Sequence, residues 1–141
     1  MSYLNTKQAL ITQLLATPIT GITGADIAFE NKDFDPSGKD LWLAAYFIPA
    51  TSDSLGKTLS SSDEQRGIFQ VSVFVAMNSG NYDNVQFNAI DEILAGFRYS
   101  TSTVYNDTTV DILESTVNNG TENEAFFRRD ISINYLTFNE R

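Results

Sequence analysis

Apolar and polar positions alternate most cleanly over residues 66–77, RGIFQVSVFVAM. Phe69, Val71, Val73, Val75 and Met77 fall on one face, the period-two pattern of a half-buried strand. The opposite face, Ile68, Gln70, Ser72, Phe74 and Ala76, is too apolar for open water and too polar for a sealed core. It predicts a face that something covers in part. LWLAAYFI (41–48) is apolar on both faces and predicts a central strand covered on both sides, ended by Pro49. A short strand is expected at 27–30. Val110 and Ile112 mark another strand, after a turn at Asn106-Asp107. The last strand, 126–138, alternates Phe127, Ile131, Ile133 and Tyr135 against Arg128, Asp130, Ser132 and Asn134.

The helical period occurs twice. Over 2–16, Leu4, Ile11, Leu14 and Leu15 form a stripe with Leu10 beside it, and Pro18 and Gly21 close the helix. Over 82–97 the stripe is Tyr82, Val85, Ala89, Ile93 and Phe97, widened by Phe87, Ile90 and Leu94. The order α-β-β-β-α-β-β predicts an α+β fold: a single mixed or antiparallel sheet with two helices packed on one face. One domain is expected over 1–141. Residues 50–65, ATSDSLGKTLSSSDEQ, offer only Leu55 and Leu59 as large apolar side chains. They are expected to form a long mobile loop between two adjacent antiparallel strands, because ordering them costs entropy with little burial in return. A further loop is expected at 117–124.

Composition narrows the chemistry. The chain contains neither cysteine nor histidine, which excludes thiolate catalysis, a Ser-His-Asp triad and imidazole metal ligation. The net charge of −9 argues against a protein that clamps phosphates or reads DNA grooves, since such binders cluster Lys and Arg. No stretch approaches the roughly 20 apolar residues of a membrane span. ALITQLLA (9–16) is too short and lacks the basic flank of a signal peptide. Asp33, Asp35, Ser37 and Gly38 match the first half of a calcium loop. Its twelfth position is Ala44, where a bidentate Glu is required, so a turn is expected there and no metal. Gly21 and Gly24 lack a following phosphate-loop lysine, and the adjacent Asp91 and Glu92 point to different sides of a helix. Arg129 shares the face of Phe127 and Ile131. It is expected to lie inward or at an interface, in an ion pair with an acid. By elimination the chain reads as a binding or assembly module without cofactor or catalytic residues.

The layout as a whole resembles the tail terminator (tail completion) proteins of long-tailed bacteriophages. The resemblance is carried by a short first helix ending near a proline, then FENKDFDP (29–36), a strand closing in FIPA (47–50), the long polar segment, RGIFQVSVFVAMNSG (66–80), one helix, and a final RRDISINY (128–135). The segment 50–65 departs from the family in its polarity. The resemblance implies a structural virion protein, assembled in the host bacterial cytoplasm. It forms a hexameric ring that caps the tail tube, stops its growth and meets a head–neck connector protein. The implied partners are further copies of the chain, the tail tube protein and the connector, with DNA passing through without specific binding and no membrane involved. On this reading Ile68, Gln70, Phe74, Arg128 and Arg129 are the expected subunit interface. Asp53, Leu55, Lys57, Leu59, Asp63 and Glu64 are the expected contact loop for tube or lumen. Another neck or head–tail connector component, or a small-ligand-binding α+β domain, is the alternative.

Overall fold

The computed structural model describes residues 3–57, 61–77 and 82–140. Helix α1 (Tyr3–Ala16) is followed by a single 3-10 turn and a short strand β1 (Ile27–Phe29). Then come β2 (Leu41–Ser54), β3 (Ser62–Ala76), helix α2 (Tyr82–Gly96), β4 (Ser102–Tyr105), β5 (Thr108–Val117), β6 (Thr121–Asn123) and β7 (Phe126–Glu140). The strands form one sheet in the order β1-β2-β3-β7-β5-β4, with β6 also paired to β7. Among the described residues only β1 and β2 run parallel, so the sheet is mixed and the fold is α+β, as the element order predicts.

Both helices cover the face that carries Phe69, Val71, Val73 and Val75, each no more than 1% exposed. Leu43 and Ala45 of β2 and Ile131, Ile133 and Tyr135 of β7 join them there, with Ala9, Leu10 and Leu14 from α1 and Ala89, Ile90, Ile93 and Phe97 from α2. The central β3–β7 pairing runs without interruption from Ser62↔Glu140 to Ala76↔Phe126. The alternation along both strands therefore translates directly into two faces.

The helical stripes differ from expectation. The buried positions of α1 are Thr6, Ala9, Leu10 and Leu14, whereas Leu4 and Leu15 are 64% and 52% exposed. Small Ala9 and Thr6 let the helix approach β4 and β5 closely, and the Ala9 carbonyl accepts a hydrogen bond from Thr103 Oγ1 at 3.2 Å. On α2 the buried row starts at Gln86 and continues through Ala89, Ile90, Ile93 and Phe97, while Val85 and Phe87 are exposed. Gln86 is tolerated in the core because its amide nitrogen donates to the carbonyls of Val73 (2.9 Å) and Phe127 (3.1 Å).

The expected loop over 50–65 is corrected. After a bulge between Pro49 and Thr51 the β2–β3 ladder resumes at Thr51↔Arg66 and runs to Ser54↔Asp63. β7 flanks the same stretch of β3 out to Ser62↔Glu140. The result is a three-stranded arm that continues past β1 on one side and past the paired part of β5 on the other. Strand β3 runs through its middle, with backbone groups satisfied on both sides, and this compensates for a polar sequence. The expected loop at 117–124 likewise contains β6.

Gly67 lies where the arm leaves the body. The ring of Tyr135, its cross-strand neighbour, lies over it, and Phe47 stacks on Tyr135 at a centroid distance of 5.6 Å. A Cβ at Gly67 would stand 2.6 Å from the Ile48 carbonyl oxygen and 2.8 Å from Tyr135 Cζ. Backbone on one side and a packed ring on the other leave nowhere to move. Gly67→Ala is therefore expected to lower stability by about 1–3 kcal/mol, the usual range for overpacking. A shift in the denaturant midpoint at unchanged slope checks it.

Burial pushes the Tyr135 phenol up to about 12, and the nearby Tyr3 phenol adds to the effect. The unfolded chain gives up this proton near pH 10 and the folded one keeps it to about 12. The unfolded state then binds fewer protons, so this contribution to stability is intact below pH 10 and is lost between pH 10 and 12. In a spectrophotometric titration of the six tyrosines, one is expected to ionise late, and Tyr135→Phe should remove that late phase.

Candidate functional site

Among the described residues, the second face of the sheet carries no helix. The register places Trp42, Ala44, Tyr46 and Ile48 of β2 beside Phe74, Ser72, Gln70 and Ile68 of β3. These in turn lie beside Arg128, Asp130, Ser132 and Asn134 of β7. The sequence predicts a partial cover here, but the cover is the protein's own aromatic cluster rather than its helices. Trp42 stacks flat on Phe74, with centroids 3.9 Å apart and planes 5° from parallel. Phe126 meets Trp42 edge-on at 5.5 Å, and Phe34 packs on it at 5.1 Å. Phe34 comes from the 29–40 connection. There Asp35 Oδ1 accepts the Ser37 amide at 3.0 Å, so the acid-rich segment is an Asx turn.

Beside the aromatics runs a polar chain. Gln70 Nε2 donates to Ser72 Oγ (3.2 Å), Ser72 Oγ donates to Asp130 Oδ1 (2.6 Å), and Arg128 Nε donates to the same oxygen (2.7 Å). The Arg128 guanidinium also lies 5.5 Å from the centre of the Phe74 ring. Ser72 and Phe74 are consequently buried at 0% and 4% exposure on a face without helices.

Toward the arm this face opens into a concavity of about 590 Å³, whose lining includes Thr51, Arg66, Ile68, Tyr99, Leu113 and Asn134. A bulge in β5 between Ile112 and Ser115 turns Leu113 and Glu114 toward it, and the Glu114 carbonyl accepts from Asn134 Nδ2 at 3.0 Å. Ile48 is 42% exposed and Tyr99 69% exposed, so the rim presents apolar surface to solvent.

Of the residues expected at a subunit interface, Ile68, Gln70, Phe74 and Arg128 share this face. Arg129 does not. It lies on the helix side, where its Nε donates to Gln86 Oε1 at 3.1 Å and its guanidinium covers Phe87 (4.6 Å) and Phe127 (5.4 Å). Arg129 is inward, as its register requires, but its partner is an amide oxygen rather than the expected acid. Of the expected contact loop, Asp53, Leu55 and Lys57 are exposed on the arm and Glu64 is half-buried, bonded to Arg66 at 2.6 Å. Asp63 is only 5% exposed, because the uninterrupted register of β3 puts it on the helix side with Gln65 and Phe69. Leu59 lies outside the described residues.

Sequence reasoning missed a second apolar surface. Leu4, Ile11 and Leu15 lie along one side of α1 at helical spacing but not on its buried side. Ile11 and Leu15 form one wall of a groove of about 540 Å³, floored by Phe29, Ala45, Phe47 and Phe69. The signal was present in the sequence, since Leu10 and Leu14 stand on one side of the helix and Leu4, Ile11 and Leu15 on another, and only one side can face the sheet.

Among the described residues there is no group of three or more acidic side chains placed to hold a metal ion. No described helix is long and apolar enough to cross a membrane. A sequence profile described as "Phage tail terminator protein" matches residues 5–135. The chain belongs to the phage tail terminator family. The fold is also similar to a solved structure, with a TM-score of 0.72 and 23% identity over 97% of this chain and 96% of that one. At that identity the likeness speaks for the fold alone. A search of curated proteins returned no match. A terminator is a structural component of the phage tail, so this chain has a structural role in a phage tail.

Proposed function

We propose that this chain assembles into a hexameric ring that caps the completed tail tube, ends its growth and presents a joining surface to a head–neck connector protein. The observation that carries the reading is the family match over 5–135. The helix-free face and the arm supply what such a ring requires. Their half-exposed apolar residues, Ile48, Tyr99, Leu55 and Phe138, are surface that a free monomer leaves in water. A head-to-tail contact that closes by rotation converts such surface into a ring. The protein acts by contact, without cofactor and without catalysis. Its partners are its own copies, the tail tube protein and the connector, and assembly takes place in the cytoplasm of the host bacterium.

The genome must pass through such a ring without being held. Eighteen acids against nine basic residues favour a neutral or negative channel. Light scattering and negative-stain imaging of the purified protein test the ring, with closed sixfold particles expected. A monomer at all concentrations would overturn it, and placement at the portal rather than at the tube end would favour a connector role. No binding of duplex DNA is expected at physiological salt, for subunit or ring. Micromolar binding that weakens steeply with added salt would refute the channel argument.

A further inference from the structure

We infer that the groove between α1 and the β1–β2 edge receives the arm of a second copy of this chain, so that arm-in-groove is the repeating contact of the assembly. The inference rests on the ring reading and names the surfaces that would build it. The groove holds about 540 Å³, with walls of Ile11 and Leu15 and a floor of Phe29, Phe47 and Phe69. Lys7 and Lys32 stand at its rim. The chain has nine basic residues, and three of them, Lys39, Arg66 and Arg128, are in ion pairs with acids. Lys7 and Lys32 have no ion pair among the described residues. Glu30, also at the rim, is already engaged, because its Oε1 accepts the Phe47 amide at 2.6 Å. The rim is thus a locally positive spot on a chain of net charge −9.

The arm has the complementary character. Asp53, Glu64 and Phe138 lie side by side across its three strands, and the Leu55 amide donates to the Ser62 carbonyl beside them. Leu55 and Phe138 are 54% and 50% exposed; Asp53 is exposed in the same row, while Glu64, between it and Phe138, is held by Arg66. The register of β3 and β7 puts this row on the helix-free side, while the groove opens on the helix side. The chain therefore cannot turn its own arm into its own groove. A second copy can bring apolar residues flanked by acid to an apolar groove flanked by lysine. The two surfaces differ, so the contact is heterologous and propagates from subunit to subunit. The same pairing explains why α1 keeps Leu15 exposed beside half-buried Ile11 at the groove.

A charge exchange tests it. Lys32→Glu and Asp53→Lys each alter one exposed side chain, so both variants should keep the native circular dichroism spectrum. Alone, each sets like charges against each other at every contact, and assembly by light scattering should need about tenfold more protein or more. Mixed in equal amounts, the two variants restore an opposite-charge pair at every contact of an alternating ring, and assembly should return to the wild-type concentration range. If the wild type forms rings and each variant alone does so equally well, or the mixture fails to recover, the arm-in-groove contact is wrong while the ring stands. If the wild type stays monomeric, the ring and this contact fall together.

Discussion

Val71→Asp is expected to abolish the folding transition, leaving a chain without the cooperative melt of the wild type in circular dichroism. Val71 is fully buried, in the strand at the middle of the order β1-β2-β3-β7-β5-β4, and its cross-strand neighbours are Ala45 and Ile131. Neither offers a hydrogen bond or a positive charge. A carboxylate buried there costs several kcal/mol, a large share of the roughly 5–15 kcal/mol by which a domain is stable. The position two residues along makes the claim sharper. Val73 is equally buried, but Arg129 lies directly opposite it on β7, on the same face. Val73→Asp is therefore expected to be severe but less damaging, because the guanidinium can partly neutralise the new charge at the expense of its bond to Gln86. Equal melting of wild type and Val71→Asp would mean that the faces of β3 are assigned wrongly. A Val73→Asp variant worse than Val71→Asp would mean that Arg129 is not free to respond.

Trp42→Ala is expected to lower stability by about 3 kcal/mol, at the lower end for truncating a packed aromatic because Trp42 is only half-buried. The melting temperature should fall by about 10 °C. Trp42 holds three contacts together: the stack on Phe74, the edge contact with Phe126 and the packing of Phe34. Its loss opens the helix-free face and releases the 29–40 connection. Trp42→Phe keeps a flat ring on Phe74 and should recover most of the loss. The indole N–H is buried with no acceptor among the described residues, so replacing it with carbon sacrifices no hydrogen bond to them. Unchanged melting in Trp42→Ala would show that the aromatic cluster rests on the sheet without supporting it.

Much of this architecture was legible in the order of residues. Alternation over 66–77 and 126–138 gave the two faces of β3 and β7 correctly, because their pairing has no bulge to reverse the parity. The family was legible from the layout of the whole chain rather than from any motif. Legibility failed where a residue's role depends on what lies across from it. The segment 50–65 reads as a loop by composition, yet its flanks are strands because β3 finds a partner on each side. Asp63 reads as a solvent-facing acid, yet its register turns it inward. Arg129 reads as half of an ion pair, yet α2 brings Gln86 to it from 43 positions away in sequence.

By itself, then, the sequence determined the type and order of the elements, the core face of the sheet and the absence of histidine and cysteine chemistry. Those properties depend on local periodicity and on which atoms the chain contains. Only the tertiary structure decided which of two apolar stripes on α1 meets the sheet, that an aromatic cluster seals the face without helices, and that a polar segment stands out as a three-stranded arm. Each of these is a choice between alternatives of similar local energy. Burial area and backbone hydrogen bonds supplied by residues distant in sequence settle such choices, and no window along the chain contains them.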